Sequence, residues 1–272
     1  MFSPKGRNLE RGWPGRIEGD RVIQLAAQTL QSFFTGGGLA REHAEYPLDE
    51  VELLPPVLHP PSVRDFYTFE QHVKTARARR GLDDMPEEWY RIPVFYFSNP
   101  AVIYGPEAEI PYPAGTEELD YELEVAAVIG AEETIAGFTI MNDWSARDLQ
   151  RAEMKVGLGP AKGKDFATSL GPIVVTSDEF DGTAATMVAR VNGEERSRGE
   201  LGDMYYSWDA LVEQAKRNTA LYPGDVLGSG TVGTGCISER GDGRWLQPGD
   251  VVELEVDGIG VLRNRIGVRP PG

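Results

Sequence analysis

The second half of the chain alternates short apolar stretches with turn-forming residues, and this spacing predicts β-strands. Asn192-Gly193 and Asp257-Gly258 lie between two such stretches and are typical of hairpin turns. Many short strands with few helices between them predict a mainly β, α+β fold arranged as a sandwich or barrel. The predicted strands cover residues 119–129, 136–141, 171–176, 186–191, 225–230, 250–256 and 259–266, with two earlier ones at 92–97 and 101–104.

Only a few short helices are expected. Residues 22–34 place apolar side chains at helical spacing, and the glycines at 36–38 would end that helix. Two further helices are predicted, one that starts near Ser145 and one over residues 208–216.

The proline-rich stretch 53–61 is typical of a linker. It would divide the chain into a small N-terminal segment, residues 1–60, and a main domain, residues 61–272. Within the main domain, residues 65–90 are polar, with basic residues in the middle, and we interpret them as a mobile lid.

Composition excludes several classes of protein. The formal net charge of −16 over 272 residues argues against a nucleic-acid partner, because phosphate binding requires a basic surface. The single cysteine, Cys236, excludes a disulfide framework and a zinc site made of cysteines. No apolar run is long enough to span a membrane, and the first residues lack the apolar core of a signal peptide. We therefore expect a cytoplasmic protein with no membrane partner.

Glu122 and Glu124 lie one residue apart in the strand-like run 119–129. Side chains alternate across a strand, so the two carboxylates share one face and the apolar residues next to them take the other. Like charges side by side repel each other, and a divalent cation with Asp143 as a third ligand would compensate them. Ligands that are all oxygen favour Mg²⁺, Ca²⁺ or Mn²⁺ over zinc. The alternative is an exposed sheet edge for the glutamates and a helix N-cap for Asp143.

Other residues could carry chemistry, and each has an ordinary alternative. Arg147 and Gln150 share one face of a predicted helix, where Arg147 would hold a substrate carboxylate or simply form an ion pair. His72 would act as a general base beside a metal, or be a surface residue. Lys164 could stabilise an oxyanion, but its glycine-rich surroundings do not match a phosphate-binding loop. The stretch 229–235 could bind an anion through its amides, or be a plain turn.

Taken in order, these residues resemble the motifs of the fumarylacetoacetate hydrolase family. The resemblance covers about residues 60–268 and rests most on the highly specific stretch 141–150, MNDWSARDLQ. The other matching motifs are Asp65-Phe66-Tyr67 followed by His72, Glu122-x-Glu124, Gly163-Lys164 and Ser229-Gly230-Thr231. The fold that this resemblance implies is the mixed, barrel-like β-sandwich roll of the family, with a few short helices and a lid.

The resemblance also implies a role for each candidate residue. Four carboxylates would bind the cation, Mg²⁺ or alternatively Mn²⁺ or Ca²⁺: Asp65, Glu122, Glu124 and Asp143. His72 would activate water with Glu239 as its acidic partner, and Lys164 would complete the catalytic group. Four positions match those that contact substrate: Tyr67, Arg147, Gln150 and Thr231. The loop between Thr231 and Glu239 is shorter than in animal fumarylacetoacetases, and so is the N-terminal part.

The function implied is a metal-dependent hydrolase that cleaves a C–C bond in a 1,3-dicarbonyl acid similar to fumarylacetoacetate or an acylpyruvate. In that reaction the metal would stabilise the enolate leaving group. The same metal site would also suit a decarboxylase, tautomerase or dehydratase that acts on a 2-keto acid, either oxaloacetate-like or sugar-derived. A non-catalytic, metal-stabilised binding protein is a further alternative. Members of the family are usually homodimers, so a homodimer is expected here.

Overall fold

The computed structural model describes residues 1–82 and 84–271 of the chain, and most of its regular structure is β. The strands are β1 (Phe2–Pro4), β2 (Gly15–Glu18), β3 (Arg21–Leu25), β4 (Glu42–Pro47), β5 (Val51–Leu53), β6 (Val63–Phe66), β7 (Phe95–Ser98), β8 (Ile103–Tyr104), β9 (Glu109–Ile110), β10 (Leu119–Asp120), β11 (Leu123–Ile129), β12 (Ile135–Asp143), β13 (Ser145–Ala146), β14 (Thr168–Thr176), β15 (Thr186–Val191), β16 (Glu194–Glu200), β17 (Val226–Gly228), β18 (Val251–Val256) and β19 (Gly260–Ile266). The helices are α1 (Leu30–Thr35), α2 (Glu70–Ala78), α3 (Arg147–Met154), α4 (Trp208–Lys216) and α5 (Ile237–Arg240), with single 3-10 turns at Leu48–Glu50, Glu87–Tyr90, Ala131–Glu133 and Leu201–Asp203. None of the helices in these ranges is long and apolar enough to cross a bilayer.

Two large sheets form the body of the fold. One has seven strands in the order β7-β6-β17-β11-β12-β14-β8, and the other has five in the order β16-β15-β18-β19-β9. Inward-facing side chains of both sheets, together with the apolar face of α4, form the main hydrophobic core. Smaller sheets pair β1 with β5, β10 with β13, and β3 with β2 and β4. This mainly β, α+β fold with a curled sheet confirms the fold class predicted from the sequence.

Strand β11 is buried on both faces, which explains its nearly continuous apolar sequence. Leu123 and Val125 belong to the main core. Ala126 points the other way and packs with Met141 of β12 in a second apolar cluster. Glu124 shares the face of Ala126 and is fully buried. The exposed sheet edge considered for this glutamate is therefore wrong.

Strand β17 joins two parts of the chain that are distant in sequence. It pairs in parallel with β6 on one side and antiparallel with β11 on the other. In this register Gly228 lies opposite both Asp65 of β6 and Ala126 of β11. Asp65 therefore lies at the same end of the sheet as the start of β11.

The helix predicted over residues 22–34 is wrong in its first half. Residues 21–25 form β3, which pairs antiparallel with β2 and β4. The helix α1 begins only at Leu30, after Thr29, whose side chain accepts a hydrogen bond from the backbone of Ser32. A short apolar stretch fits either period, and pairing with two unpredicted strands decides the outcome here.

Other predicted elements lie where the pattern placed them. The helix over residues 208–216 is α4, and β15 and β19 agree with predicted strands to within one residue. Asn192 and Gly193 connect β15 to β16 with positive φ angles of 52° and 79°, as the hairpin signal requires. The helix expected near Ser145 begins at Arg147, because the two residues before it form β13. Asp143 thus ends β12 and does not cap that helix.

Candidate functional site

Four acidic side chains converge at one end of the seven-stranded sheet. Asp65 lies near the end of β6, Glu122 directly precedes β11, Glu124 is the second residue of β11, and Asp143 is the last residue of β12. The antiparallel pairing of β11 with β12 brings these strand ends together. Each residue offers an oxygen within 4.8 Å of those of the other three, and all four residues are buried. The structure therefore brings together the four carboxylates that the sequence singled out.

The geometry of this carboxylate cluster fits a divalent cation. Asp65 Oδ1, Glu124 Oε2 and Asp143 Oδ1 are buried and have no hydrogen-bond partner within the described part of the chain. Buried charged oxygens require compensation, and oxygen-only ligands suit hard cations. Gly228 keeps the space free, because a Cβ there would lie 2.4 Å from Asp65 Oδ1 and 3.1 Å from Glu124 Oε2. The cluster could therefore hold a divalent metal ion.

Lys164 places its ammonium group between two of these carboxylates. Its Nζ donates to Glu122 Oε2 and lies 2.5 Å from Asp143 Oδ2. Burial would lower the pKa of Lys164, but the charges of Asp143 and Glu122 outweigh it and raise that pKa. The lysine is therefore protonated. One ammonium group compensates only part of the charge of four carboxylates, so further cations are needed beside it.

Arg147 is a second buried cation in the site. Its Nη2 donates to Glu122 Oε1 at 2.7 Å, and its Nε donates to Asp120 Oδ2 at 2.8 Å. Burial would raise the pKa of Glu122, but Arg147 and Lys164 outweigh burial and lower it. The ion pair considered as the ordinary alternative for Arg147 is therefore present, and its partner is a member of the carboxylate cluster.

The pKa values of Asp65 and Glu124 shift in the opposite direction from that of Glu122. Burial raises the pKa of both carboxyl groups, and nearby like charges raise it further, chiefly Asp143 for Asp65 and Asp65 for Glu124. Without a cation, these two groups hold protons more tightly than exposed carboxyl groups do. A divalent cation would compete with those protons.

His72 and Glu239 form a buried pair. His72 lies on α2, and its Nδ1 is 3.0 Å from Glu239 Oε2, with side chains only 6% and 4% exposed. The distance is that of an ion pair, although Nδ1 does not meet the angle of a hydrogen bond. Arg79, which follows α2, donates from Nη2 to the Glu239 carbonyl oxygen at 2.8 Å and holds α5 against α2. The sequence-predicted base and its acid are thus in contact.

Backbone pairing also places His72 and Glu239 beside the carboxylate cluster. The backbone of Glu122 pairs antiparallel with Cys236, which directly precedes α5. The ring of Tyr67 packs edge-on against the ring of His72 with centroids 5.4 Å apart. Burial raises the pKa of Tyr67 to about 12, so its phenol is a neutral donor at physiological pH.

The remaining substrate candidates contact the same group of residues. Thr231 donates from Oγ1 to Glu124 Oε1 at 3.2 Å. Gln150 accepts from Arg147 Nη1 through Oε1 at 3.1 Å. The backbone amides of Ser229 and Val232, by contrast, bind carbonyl oxygens of the β11 segment. Two amides of the stretch 229–235 are thus used by backbone pairing rather than available to an anion.

Asp120 belongs to the site and was not among the residues predicted from the sequence. Its two carboxylate oxygens accept hydrogen bonds from the backbone nitrogens of Ile237 and Ser238 at 2.7 and 3.0 Å, and one of them also binds Arg147. Asp120 therefore connects Arg147 to the first turn of α5, which carries Glu239. A signal for it existed, because Asp120 continues the every-second-residue spacing of Glu122 and Glu124.

Tyr96 is a second member that sequence reasoning missed. Its Oη donates to Asp143 Oδ2 at 2.5 Å. Strand β7 carries Tyr96 opposite Asp65 of β6, so its position depends on the register of two strands about thirty residues apart. Nothing local in the sequence marks it.

Aromatic residues pack together at the end of the segment interpreted as a lid. Trp89 donates from Nε1 to the carbonyl oxygen of Tyr67 at 2.8 Å, and its ring lies 5.1 Å from that of Tyr205. Tyr206 Oη donates to the carbonyl oxygen of Trp89 at 2.5 Å. The 3-10 turn of this segment is therefore held against the chain at 205–206, and the first two residues of the segment, Asp65 and Phe66, belong to β6. Movement of the rest of the segment as a lid stays a prediction.

The mainly β fold and its buried carboxylate cluster beside a histidine–glutamate pair define the class of the protein, an enzyme of the fumarylacetoacetate hydrolase type. Residues 62–267 match the family described as fumarylacetoacetate (FAA) hydrolase C-terminal. The chain belongs to this family. The resemblance inferred from the motifs is therefore confirmed.

Three relatives show the range of reactions in the family. The oxaloacetate tautomerase YisK of Bacillus subtilis is 30% identical over 238 residues, which cover 82% of this chain and 75% of the relative. The structure of 5-carboxymethyl-2-hydroxymuconate delta-isomerase from Mycobacterium smegmatis is 30% identical, with 95% and 94% of the two chains covered and a TM-score of 0.73. The structure of fumarylacetoacetate hydrolase from Exiguobacterium antarcticum is 28% identical, with 95% and 96% covered and a TM-score of 0.77. Family membership thus fixes the enzyme type but not one reaction.

Proposed function

We propose that the protein is a divalent-metal-dependent hydrolase that cleaves a C–C bond in a 1,3-dicarbonyl acid similar to fumarylacetoacetate or an acylpyruvate. The observation that carries this proposal is the buried pair of His72 and Glu239 beside the carboxylate cluster. Hydrolysis requires an activated water molecule, and a histidine held by a carboxylate is suited to produce one.

The metal would be held by Asp65, Glu122, Glu124 and Asp143, with Mg²⁺ as the expected ion. When bound, it would act as a Lewis acid on the oxygens of the substrate. Tyr96 supports this assignment, because its hydrogen bond fixes the orientation of the Asp143 carboxylate.

His72 would accept a proton from water, and Glu239 would stabilise the imidazolium that forms. The hydroxide adds to one carbonyl carbon of the substrate. The adjoining C–C bond then breaks, and its electron pair is delocalised into the second carbonyl group. The imidazolium of His72 returns the proton to the departing carbon, so the base is regenerated. Two acids, or an acid and a ketone, are released.

Three other side chains would position the substrate and stabilise charge. Lys164 is a protonated donor for an oxyanion. Arg147 uses three of its five N–H groups on Asp120, Glu122 and Gln150, which leaves donors for a substrate carboxylate. The buried Oη of Tyr67 lacks a hydrogen-bond partner among the residues described and would donate to a substrate oxygen beside His72.

A second candidate is tautomerisation of an oxaloacetate-like acid. The 30% identity to an oxaloacetate tautomerase over 238 residues favours it. In that reaction His72 would move a proton between carbon and oxygen of the substrate, and no water would be consumed.

One assay separates the two reactions. Purified protein with Mg²⁺ or Mn²⁺ is offered fumarylacetoacetate, a series of acylpyruvates and oxaloacetate, while dicarbonyl absorbance is followed and products are identified. Hydrolysis yields two smaller products from an acylpyruvate. Interconversion of keto and enol oxaloacetate with no cleavage of any acylpyruvate would refute the hydrolase proposal and support the tautomerase.

A further inference from the structure

A nitrogen, a sulfur and an oxygen donor meet beside the carboxylate cluster. His72, Cys236 and Glu239 each place a donor atom within 4.8 Å of the other two. Glu239 Oε2 lies 3.5 Å from Cys236 Sγ and 3.0 Å from His72 Nδ1. Zinc bonds of about 2.0–2.3 Å in a tetrahedron separate neighbouring ligand atoms by about 3.3–3.8 Å. The observed spacings are close to that range.

Two polar atoms of this group are buried without a hydrogen bond of good geometry. Neither Nδ1 of His72 nor Oε1 of Glu239 has a hydrogen-bond partner within residues 1–82 and 84–271. Both side chains are more than nine-tenths buried, at 6% and 4% exposure. Buried polar atoms left unpaired cost free energy, so both atoms point to a ligand that would satisfy them. The third donor is the buried thiol of Cys236, the residue directly before α5.

We infer that His72, Cys236 and Glu239 form a second cation site, separate from the carboxylate cluster, which binds a thiophilic divalent ion such as Zn²⁺. The two sites differ in the kinds of ligand that they offer to a metal ion. Imidazole and thiolate ligands select zinc and similar ions, whereas the four carboxylates suit Mg²⁺. A coordinating thiol loses its proton to the metal's field, so the three ligands would carry two negative charges, one on the thiolate and one on Glu239.

One of the three proposed ligands borders a cavity at the surface of the protein. Glu239 lines a surface cavity of about 370 Å³ together with Thr75 and Thr234. Three arginines also line it: Arg198 is paired with Glu195, whereas Arg196 and Arg240 share Asp242. Each of these arginines thus has an acidic partner that offsets part of its repulsion of a divalent ion.

The consequence for catalysis rests on the proposed function. A zinc ion that binds His72 and Glu239 would occupy the groups that activate water, so Zn²⁺ would inhibit the enzyme that Mg²⁺ activates. The second site would thus make the activity sensitive to the ratio of the two metals.

Cobalt(II) provides a test that does not depend on turnover. Cys236 is the only cysteine in the chain, so the sulfur-to-cobalt charge-transfer band reports this site alone, even if Co²⁺ also enters the carboxylate cluster. Wild-type protein with excess Mg²⁺ is titrated with Co²⁺ and then with Zn²⁺. We expect one thiolate-bound cobalt per chain, displaced by Zn²⁺, and no band in Cys236→Ser. Glu239→Gln and His72→Gln should each weaken the cobalt affinity by about tenfold or more.

Two results would overturn the inference. One is the absence of a thiolate band in correctly folded wild-type protein at saturating Co²⁺. The other is a band whose titration is unchanged in both His72→Gln and Glu239→Gln, since the cysteine would then bind cobalt without them. Zinc inhibition is measured separately, and each variant is compared with its own uninhibited rate. Cys236→Ser should require at least tenfold more Zn²⁺ than the wild type for the same fractional inhibition. A normal cobalt band in a protein that hydrolyses no dicarbonyl acid would refute the hydrolase proposal alone.

Discussion

Asp65 and Gly228 lie opposite each other in the parallel pairing of β6 and β17, and the missing side chain of Gly228 provides the space that the Asp65 carboxylate occupies. A Cβ on Gly228 would lie 2.4 Å from Asp65 Oδ1. The backbone of Gly228 is not in the left-handed region, so a side chain is excluded there by space alone. The glycine thus acts on the carboxylate cluster without being one of its ligands.

Gly228→Ala should therefore displace the Asp65 carboxylate and weaken Mn²⁺ binding by about 10- to 100-fold, as changes next to metal ligands do. Isothermal titration calorimetry measures the affinity, and circular dichroism checks the fold. Gly36→Ala is the matched control, because a Cβ there would meet nothing closer than 3.4 Å. Equal Mn²⁺ affinity in both variants would contradict the assignment of Asp65 as a ligand.

Lys164→Met should destabilise the metal-free protein, because it leaves Glu122 and Asp143 without their shared cation. Removing one partner of a buried ion pair costs about 3–5 kcal/mol. Mg²⁺ should restore part of this loss, since it supplies positive charge to the same carboxylates. Urea denaturation with and without Mg²⁺ gives both quantities.

The matched control for this lysine is Lys162→Met. Lys162 makes an ion pair with Asp165, but its side chain is 75% exposed, and exposed pairs contribute about 0–1 kcal/mol. A loss of similar size in both variants would show that Lys164 does not act through the buried carboxylates.

Local patterns predict the part of the site that lies within single elements. The two-residue period of a strand places Glu122 and Glu124 on one face, and the hairpin signal at Asn192-Gly193 fixes the connection of β15 to β16. Both features depend on residues that are neighbours in sequence, so no knowledge of the sheet order is needed. The same period would have included Asp120.

Contacts between distant strands could not be predicted in this way. Gly228 and Tyr96 are important only because β17 and β7 both pair with β6, and neither residue has a local signal. The strand β3 was missed for the same reason, since residues 21–25 are apolar enough for a helix or a strand and pair with partners that the pattern did not predict. Strand order is a property of the whole chain.

His72→Ala should lower the rate of hydrolysis by about 10²- to 10⁴-fold, the usual contribution of a general base. Mn²⁺ affinity in the carboxylate cluster should be nearly unchanged, because His72 is not a member of that cluster. Glu239→Gln should also lower the rate. The double variant should be only slightly slower than His72→Ala, since the two residues act as a unit. His43→Ala, at an exposed position on β4, is the control. Full activity of His72→Ala would refute its role as base.

The raised pKa values of Asp65 and Glu124 predict an unusual pH dependence for the metal-free protein. Burial, reinforced by the neighbouring carboxylates, raises both above their ordinary values of 3.8 and 4.5. In the range above those values the native state binds more protons than the unfolded state, so the contribution of these two groups to stability falls as pH rises. Mg²⁺ competes with the same protons, so its affinity should rise with pH over this range.

Glu124→Gln isolates this effect from the other titrating groups. Glutamine carries no ionisable proton, so the free energy of unfolding of the metal-free variant should fall less steeply than that of the wild type between mildly acidic and neutral pH. Urea denaturation at a series of pH values gives the two slopes, and calorimetry in buffers of different ionisation enthalpy gives the protons released when Mg²⁺ binds. We expect fewer protons released by the variant than by the wild type. Identical slopes and identical proton release would show that Glu124 is ionised without a metal, and that the buried carboxylates are compensated by Lys164 and Arg147 alone.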